Sequence, residues 1–348
     1  MATDEGVGSE LAPRLRSRWS KFRVVLACAV AVLLVAELAV RLAASSLAEP
    51  QAWPTPESQY KYDRVTQLAP THRVKTVLFG DSMVDAGADP ALMTRVPGVT
   101  FNAALAGETL PTIGSWATDV VVPRLHPKTV VLGFNVDVLS PNIPGAAAVQ
   151  AAYSGSRVVK VAEGSGDVID HLDTWLRTHI YLYRYRSVLR NVFAPSTSSG
   201  TSTYAPLLSN LGWNESFRDL HYSVGPNAIT PKEAQAEIKD DVLHDFVVGS
   251  QPAAQLGAVI DQLRREGTRV VFVVMPIAAD FVAAIPGGRA TFEAALADLM
   301  ADTRAHGAQT VNAGVWPNNL FASPAHLNGA GTARFSSWLS ARLTGSGR

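Results

Sequence analysis

Val74-Lys75-Thr76-Val77-Leu78-Phe79-Gly80-Asp81-Ser82 decides the fold: an apolar run, Val74 to Phe79, ends in a Gly-Asp-Ser turn. Short apolar, β-branched runs bounded by turn residues read as buried strands. In a parallel α/β sheet, ligands sit beyond the carboxyl ends of strands, so a glycine turn there places the Ser82 hydroxyl where a substrate can be attacked. Taken alone, the tripeptide fits an ordinary turn or helix N-cap equally well.

Working outward, further strand-like runs lie at Val99 to Phe101, Thr129 to Phe134, Arg269 to Met275 and Gln309 to Asn312. Helical periodicity separates them. Ile113, Trp116, Ala117, Val120 and Val121 share a face within Glu108 to Leu125, and Leu256, Val259, Ile260 and Leu263 do so within Ala253 to Glu266. Phe292, Leu296, Leu299 and Met300 mark a helix over Ala290 to His306, and Phe335, Trp338, Leu339, Arg342 and Leu343 a terminal one. Five strands in repeated βα order predict a three-layer α/β/α domain, class α/β, with a five-stranded parallel sheet.

Three more strand-end or loop blocks carry chemistry. They are Asn102-Ala103-Ala104-Leu105-Ala106-Gly107, Gly133-Phe134-Asn135, and Phe321-Ala322-Ser323-Pro324-Ala325-His326-Leu327-Asn328. With Gly80-Asp81-Ser82 they resemble the four blocks of the SGNH, or GDSL-type, hydrolase family, over roughly residues 74 to 343. The resemblance implies a flavodoxin-like sheet, Ser82 as nucleophile and His326 as general base. It also implies an oxyanion hole of the Ser82 N–H, the Gly107 N–H and the Asn135 amide. Each role has a physical reason: an imidazole titrating near neutrality takes and returns the serine proton. Glycine allows close backbone approach. An oxyanion donor contributes on the order of 3 kcal/mol to transition-state stabilisation.

The family's last block is Asp-x-x-His, and here Ser323 stands in the acid position. The acid fixes the imidazole tautomer, and its loss lowers serine-protease turnover by about four orders of magnitude. A Ser-His dyad, an acid or carbonyl from elsewhere, and an inactive site are the three readings. Asn102 and Asp81 read as turn or helix-start residues that support the loops, and the nearby Asp85 as solvated. The remaining histidines show no metal-ligand spacing, so neither a metal nor a cofactor is expected.

With 348 residues, a 47% hydrophobic fraction and a formal net charge of zero, the chain can bury a large core. That balance argues against a nucleic-acid surface built on bulk charge. Arg14, Arg16, Arg18, Lys21 and Arg23 (within a basic cytoplasmic segment, 1–23) precede the apolar run Val24 to Ala36. The helical pattern continues to Ala44 and includes an i,i+4 pair, Glu37 and Arg41. A transmembrane signal anchor over 24–44 is expected, with the N-terminus cytoplasmic by the positive-inside rule. The alternative is a secreted protein cleaved near Ser46-Leu47-Ala48. Cys28 is the single cysteine, which excludes an internal disulfide.

Residues 45–72, with Pro50, Pro54, Pro56 and Pro70, read as a linker ahead of the domain at 73–345. An insertion at about 140–249 interrupts the alternation. It contains a helix candidate, Val168 to Phe193, read as packed on the sheet, with a lid over an acyl donor or glycan as the other reading. Asn214-Glu215-Ser216 fits a glycosylation sequon.

The layout looks like that of bacterial proteins handling O-acetyl or related groups on envelope polymers. It implies a membrane-anchored, extracytoplasmic serine esterase or O-acyltransferase that takes an acylated small molecule or glycan and works beside envelope-polymer assembly partners. A non-catalytic SGNH-fold binding or assembly protein, and a lysophospholipase or thioesterase, are the alternatives.

Overall fold

The structure is a computed structural model that describes residues 11–46, 56–108, 110–136, 175–176, 179–186, 189, 207–222, 232–233, 236 and 250–345. The chain divides into two compact units: Met1–Gln51 with His171–Ser199, and Ala52–Asp170 with Gly200–Arg348. The Pro195 to Tyr204 loop and most of the 140–249 insertion lie outside the described residues.

In the first unit, helix α1 spans Leu11–Ala43. Within it Phe22–Ala43, 22 residues, is long and apolar enough to cross a membrane. At 1.5 Å per residue it reaches about 33 Å, against about 30 Å of bilayer hydrocarbon. Its Val24, Val25, Leu26, Leu33, Leu34 and Val35 side chains point outward. Glu37 and Arg41 pair at 2.6 Å on this apolar helix.

Their partners come from the insertion. The Glu37 carboxylate accepts the backbone N–H groups of Tyr181 at 2.9 Å and Leu182 at 2.7 Å. Arg41 donates to the His179 carbonyl at 2.7 Å and lies 4.9 Å over the Tyr181 ring. The expected single helix over Val168 to Phe193 is therefore corrected: the backbone is extended at Ile180 and restarts as a short helix, Tyr181–Arg184. The N–H groups orphaned at that restart are the ones Glu37 accepts, so within the first unit Tyr181–Arg184 is held against α1.

In the second unit, β1 (Val74–Gly80), β2 (Val99–Asn102), β3 (Thr129–Phe134), β4 (Arg269–Val274) and β5 (Gln309–Asn312) form a parallel sheet in the order β2-β1-β3-β4-β5. This is the expected α/β class with its five strands. Strands β1, β3 and β4 are almost wholly buried, which is why they read as continuous apolar runs. Helix α2 spans Pro56–Leu68 and α3 spans Ser82–Gly87. Helix α4 runs over Leu110–Ser115, widens to π geometry over Trp116–Val121 and closes over Val122–Leu125. Then come α5 (Ser250–Arg265), α6 (Gly288–Ala305) and α7 (Gly329–Leu343).

Right-handed crossovers put α3 on one face and α4, α5 and α6 on the other, because the chain reverses direction across the sheet after β2. Contacts agree: α4 packs on α5 and α5 on α6, while α3 packs on α7. The reversal makes a topological switch point between β1 and β3, and Ser82 and Asn135 follow those two strands.

The linker reading of 45–72 changes. Pro56–Leu68 is helical and buries Glu57, Ser58, Lys61 and Val65, so this part of the stretch is folded into the second unit.

Gly80 is a packing requirement. A Cβ there would overlap the Gly133 carbonyl oxygen and Val84 Cγ2, because α3 crosses directly over the ends of β1 and β3. Backbone cannot yield as a side chain can. Gly80→Ala is expected to cost about 2–4 kcal/mol by overpacking, read as a lowered thermal midpoint by circular dichroism. An unchanged midpoint would show that α3 is not seated as described.

Candidate active site

Ser82 opens α3 at the end of β1, where Asp81 caps the helix by accepting the Met83 N–H at 2.8 Å. The Ser82 N–H is one of the helix's first-turn donors, which have no intrahelical partner. His326 arrives on a tight loop. Phe321 and Leu327 form an antiparallel bridge across it, and Asn328 closes it by accepting the Gly331 N–H at 3.0 Å and donating to the Asn319 and Phe321 carbonyls.

These two loops bring the expected pair together. His326 Nε2 lies 2.8 Å from Ser82 Oγ. Its Nδ1 lies 2.8 Å from Ser323 Oγ, which also accepts the His326 backbone N–H at 3.3 Å. Among the described residues these hydroxyls are the ring's recorded hydrogen-bond partners, and no carboxylate appears with them. A carboxylate only accepts, whereas a hydroxyl donates or accepts, so Ser323 orients the ring without imposing one tautomer. It also brings no charge to an imidazolium. Phe217 stacks on the imidazole with centroids 4.4 Å apart and planes 4° from parallel. Although the residue keeps an exposed edge, burial pushes His326 down to about 4, so the imidazole is neutral at physiological pH.

Asn135 follows β3 fully buried. Its oxygen accepts the Val136 N–H at 2.8 Å and its amide donates to the Met275 carbonyl at 2.7 Å, which fixes the orientation of the second amide N–H. Gly107 is exposed, with φ +71°, a left-handed conformation that favours glycine.

Asn102 is a structural clamp. Its amide nitrogen donates to the Val84, Asp85 and Ala88 carbonyls at 2.8–3.2 Å, and its oxygen accepts the Ala104 N–H, so it ties the end of α3 to the loop after β2. Asp85, expected to be solvated, is fully buried and paired with the equally buried Lys61. Asp85 also takes the Asn214 amide at 2.8 Å. Asn214 is thus 2% exposed with its amide occupied, which removes the sequon reading. Burial pushes Asp85 up to about 7 against the pull of Lys61, whose ammonium is held above its usual range by Asp85 and Glu57 despite burial. Burial, with Glu57 nearby, also pushes Glu108 up to about 7, and its Oε2 meets no hydrogen-bond partner among the described residues.

The Trp213 to Tyr222 loop, which reads from the sequence as able to border the site, does so through Phe217, whereas the Glu57–Lys61–Asp85 cluster was missed because hydrophobic periodicity does not register it. The i,i+4 spacing of Glu57 and Lys61 behind Pro56 was the available signal. No His, Cys, Asp or Glu cluster suited to a metal occurs among the described residues.

No family model matches the sequence, and no curated protein matches it. Among solved structures, the lipase/acylhydrolase from Enterococcus faecalis is similar at a TM-score of 0.35 and 12% identity, over 78% of this chain and 96% of that one.

Proposed function

We propose that the protein is a membrane-anchored serine esterase or O-acyltransferase of the SGNH type, acting outside the cytoplasm on an acylated small molecule or glycan. The observation that carries this reading is the 2.8 Å contact of Ser82 Oγ with His326 Nε2 at the switch point of a parallel sheet. In the competent tautomer, Nδ1–H donates to Ser323 and Nε2 accepts the Ser82 proton. Ser82 Oγ bonds to the acyl carbon. The oxyanion takes hydrogen bonds from the Ser82 N–H, the Gly107 N–H and the Asn135 amide. Collapse breaks the ester C–O bond, and His326 gives its proton to the leaving oxygen. Water or a glycan hydroxyl, deprotonated by His326, then releases the acyl group. The α1 span and the basic residues ahead of it support an anchor with a cytoplasmic N-terminus. Envelope-polymer assembly partners fit this placement.

The test is hydrolysis of p-nitrophenyl acetate by the full-length protein in detergent, compared with Ser82→Ala, and acetyl transfer to an added glycan. Turnover that survives Ser82→Ala would sink the enzyme reading. Ser323 as the partner of Nδ1 favours one second reading, a non-catalytic protein that uses the cleft for recognition. Absence of Ser82-dependent chemistry with retained glycan binding is its signature.

The pH profile follows from the buried base. A His depressed to about 4 stays neutral and usable until the pH falls through that value, so the acid limb of kcat/KM is expected near 4 instead of near 6.5. The unfolded chain binds this proton at about 6.5, so the same group lowers stability progressively between 6.5 and 4. Rates are therefore read on protein shown by circular dichroism to be folded at each pH. An acid limb at 6.5 would contradict the buried imidazole.

A further inference from the structure

Gly107 stands at the end of a loop, Ala103 to Ala106, whose backbone polar groups are held from several sides. Trp116 Nε1 donates to the Ala103 carbonyl at 2.7 Å, and Asn102 accepts the Ala104 N–H at 3.1 Å. The Leu105 N–H reaches the Gly80 carbonyl at 2.9 Å, which ties the loop to the strand end carrying Ser82. The Ala103 N–H also donates to the Leu78 carbonyl at 2.8 Å, and further contacts come from α2. The Lys61 ammonium donates to the Ala104 carbonyl, and both Glu57 oxygens accept the Ala106 N–H, at 3.3 and 3.4 Å. Lys61 is completely buried and also pairs with Glu57 at 2.9 Å and with Asp85.

A buried ion cluster is a poor source of stability, since apolar residues of equal volume do as well or better. What it does supply is a fixed position for the backbone groups it touches. We propose that Lys61 and Glu57 are positioning residues for the oxyanion hole: through Ala104 and Ala106 they set where the Gly107 N–H stands relative to Ser82. The proposal rests on the acyl-transfer reading of Ser82 and His326. It makes α2, the helix ahead of the sheet, a working part of the site. Displacing a catalytic group by about 1 Å costs on the order of 10²-fold in rate, as does losing one oxyanion donor.

The experiment compares the full-length protein in detergent with Lys61→Met, Lys61→Met/Asp85→Asn and Glu57→Gln. The readouts are thermal midpoint, Ser82-dependent p-nitrophenyl acetate kinetics, and hydrogen exchange of the peptide covering 103–108. Lys61→Met strands the Asp85 and Glu57 charges and is expected to lower both midpoint and kcat, the latter by about 10²-fold. The double variant removes both charges of the pair. Its midpoint is expected to recover in part, since Glu57 alone is left without its cation, while kcat stays low, KM stays within about twofold, and the loop exchanges faster. Glu57→Gln keeps an oxygen for the Ala106 N–H and is expected to lose about tenfold in kcat with the fold intact. Recovery of kcat together with the midpoint, or unchanged kcat in Glu57→Gln and the double variant, would overturn the proposal while leaving the acyl-transfer reading standing. Wild type without Ser82-dependent turnover would remove that reading, and the clamp with it.

Discussion

Ser323→Asp is expected to raise kcat for p-nitrophenyl acetate by about 10²-fold at neutral pH. Removing the acid from a serine-protease triad costs about 10⁴-fold through tautomer, orientation and imidazolium charge together. Ser323 already holds the ring at 2.8 Å, so the substitution recovers the tautomer and charge parts. Ser323 is only partly buried, so its side chain borders solvent. The same change stabilises the protonated ring, so the acid limb of the pH profile is expected to move up from about 4 toward the ordinary histidine range. Ser323→Ala is expected to move the other way by a few-fold, because it removes the orienting oxygen. If Ser323→Asp changes neither rate nor acid limb, Ser323 is not the group that faces Nδ1 during the reaction.

His326→Ala is expected to lower turnover by about 10²-fold, far less than the roughly 10⁶-fold loss in a complete triad. The reason is non-additivity: in subtilisin, loss of the acid alone costs about 3 × 10⁴ and loss of serine or histidine about 2 × 10⁶. A site that already lacks the acid therefore has only about the quotient left to lose. By the same logic His326→Ala/Ser82→Ala should be no worse than Ser82→Ala alone. Equal turnover in wild type and His326→Ala would show that the imidazole, although 2.8 Å from Ser82 Oγ, does not serve as its base.

The sheet was legible because strands buried on both faces are near-continuously apolar, as Val77 to Phe79, Val130 to Leu132 and Val270 to Val274 are. The helices after β3 were legible from buried residues at helical spacing, such as Leu256, Ile260 and Leu263. Helix α2 was not. Its buried face is Glu57, Ser58, Lys61 and Val65, and a reader of apolar period sees a polar stretch with prolines. Asp85 was misjudged for the same reason, since a carboxylate reads as solvated unless its buried cation is known.

At the site, Ser82 and Asn135 stood out by ending strands, and His326 by its block. Geometry adds what spacing does not carry: Phe217 stacked on the imidazole from a distant loop, the Ser323 hydroxyl brought to Nδ1, and charged groups holding the Ala104 and Ala106 backbone ahead of Gly107. The insertion gave the largest surprise. Its Tyr181–Arg184 helix meets Glu37 and Arg41, a pair that from sequence showed only its i,i+4 spacing.

The most direct test of the central claim, that Ser82 is a nucleophile activated by His326, is the reaction of the full-length protein with a fluorophosphonate, followed by peptide mass spectrometry. The account predicts one phosphonyl adduct, on Ser82, that is absent in Ser82→Ala and strongly slowed in His326→Ala. Labelling at other serines with Ser82 unmodified, or equal Ser82 labelling in His326→Ala, would contradict it.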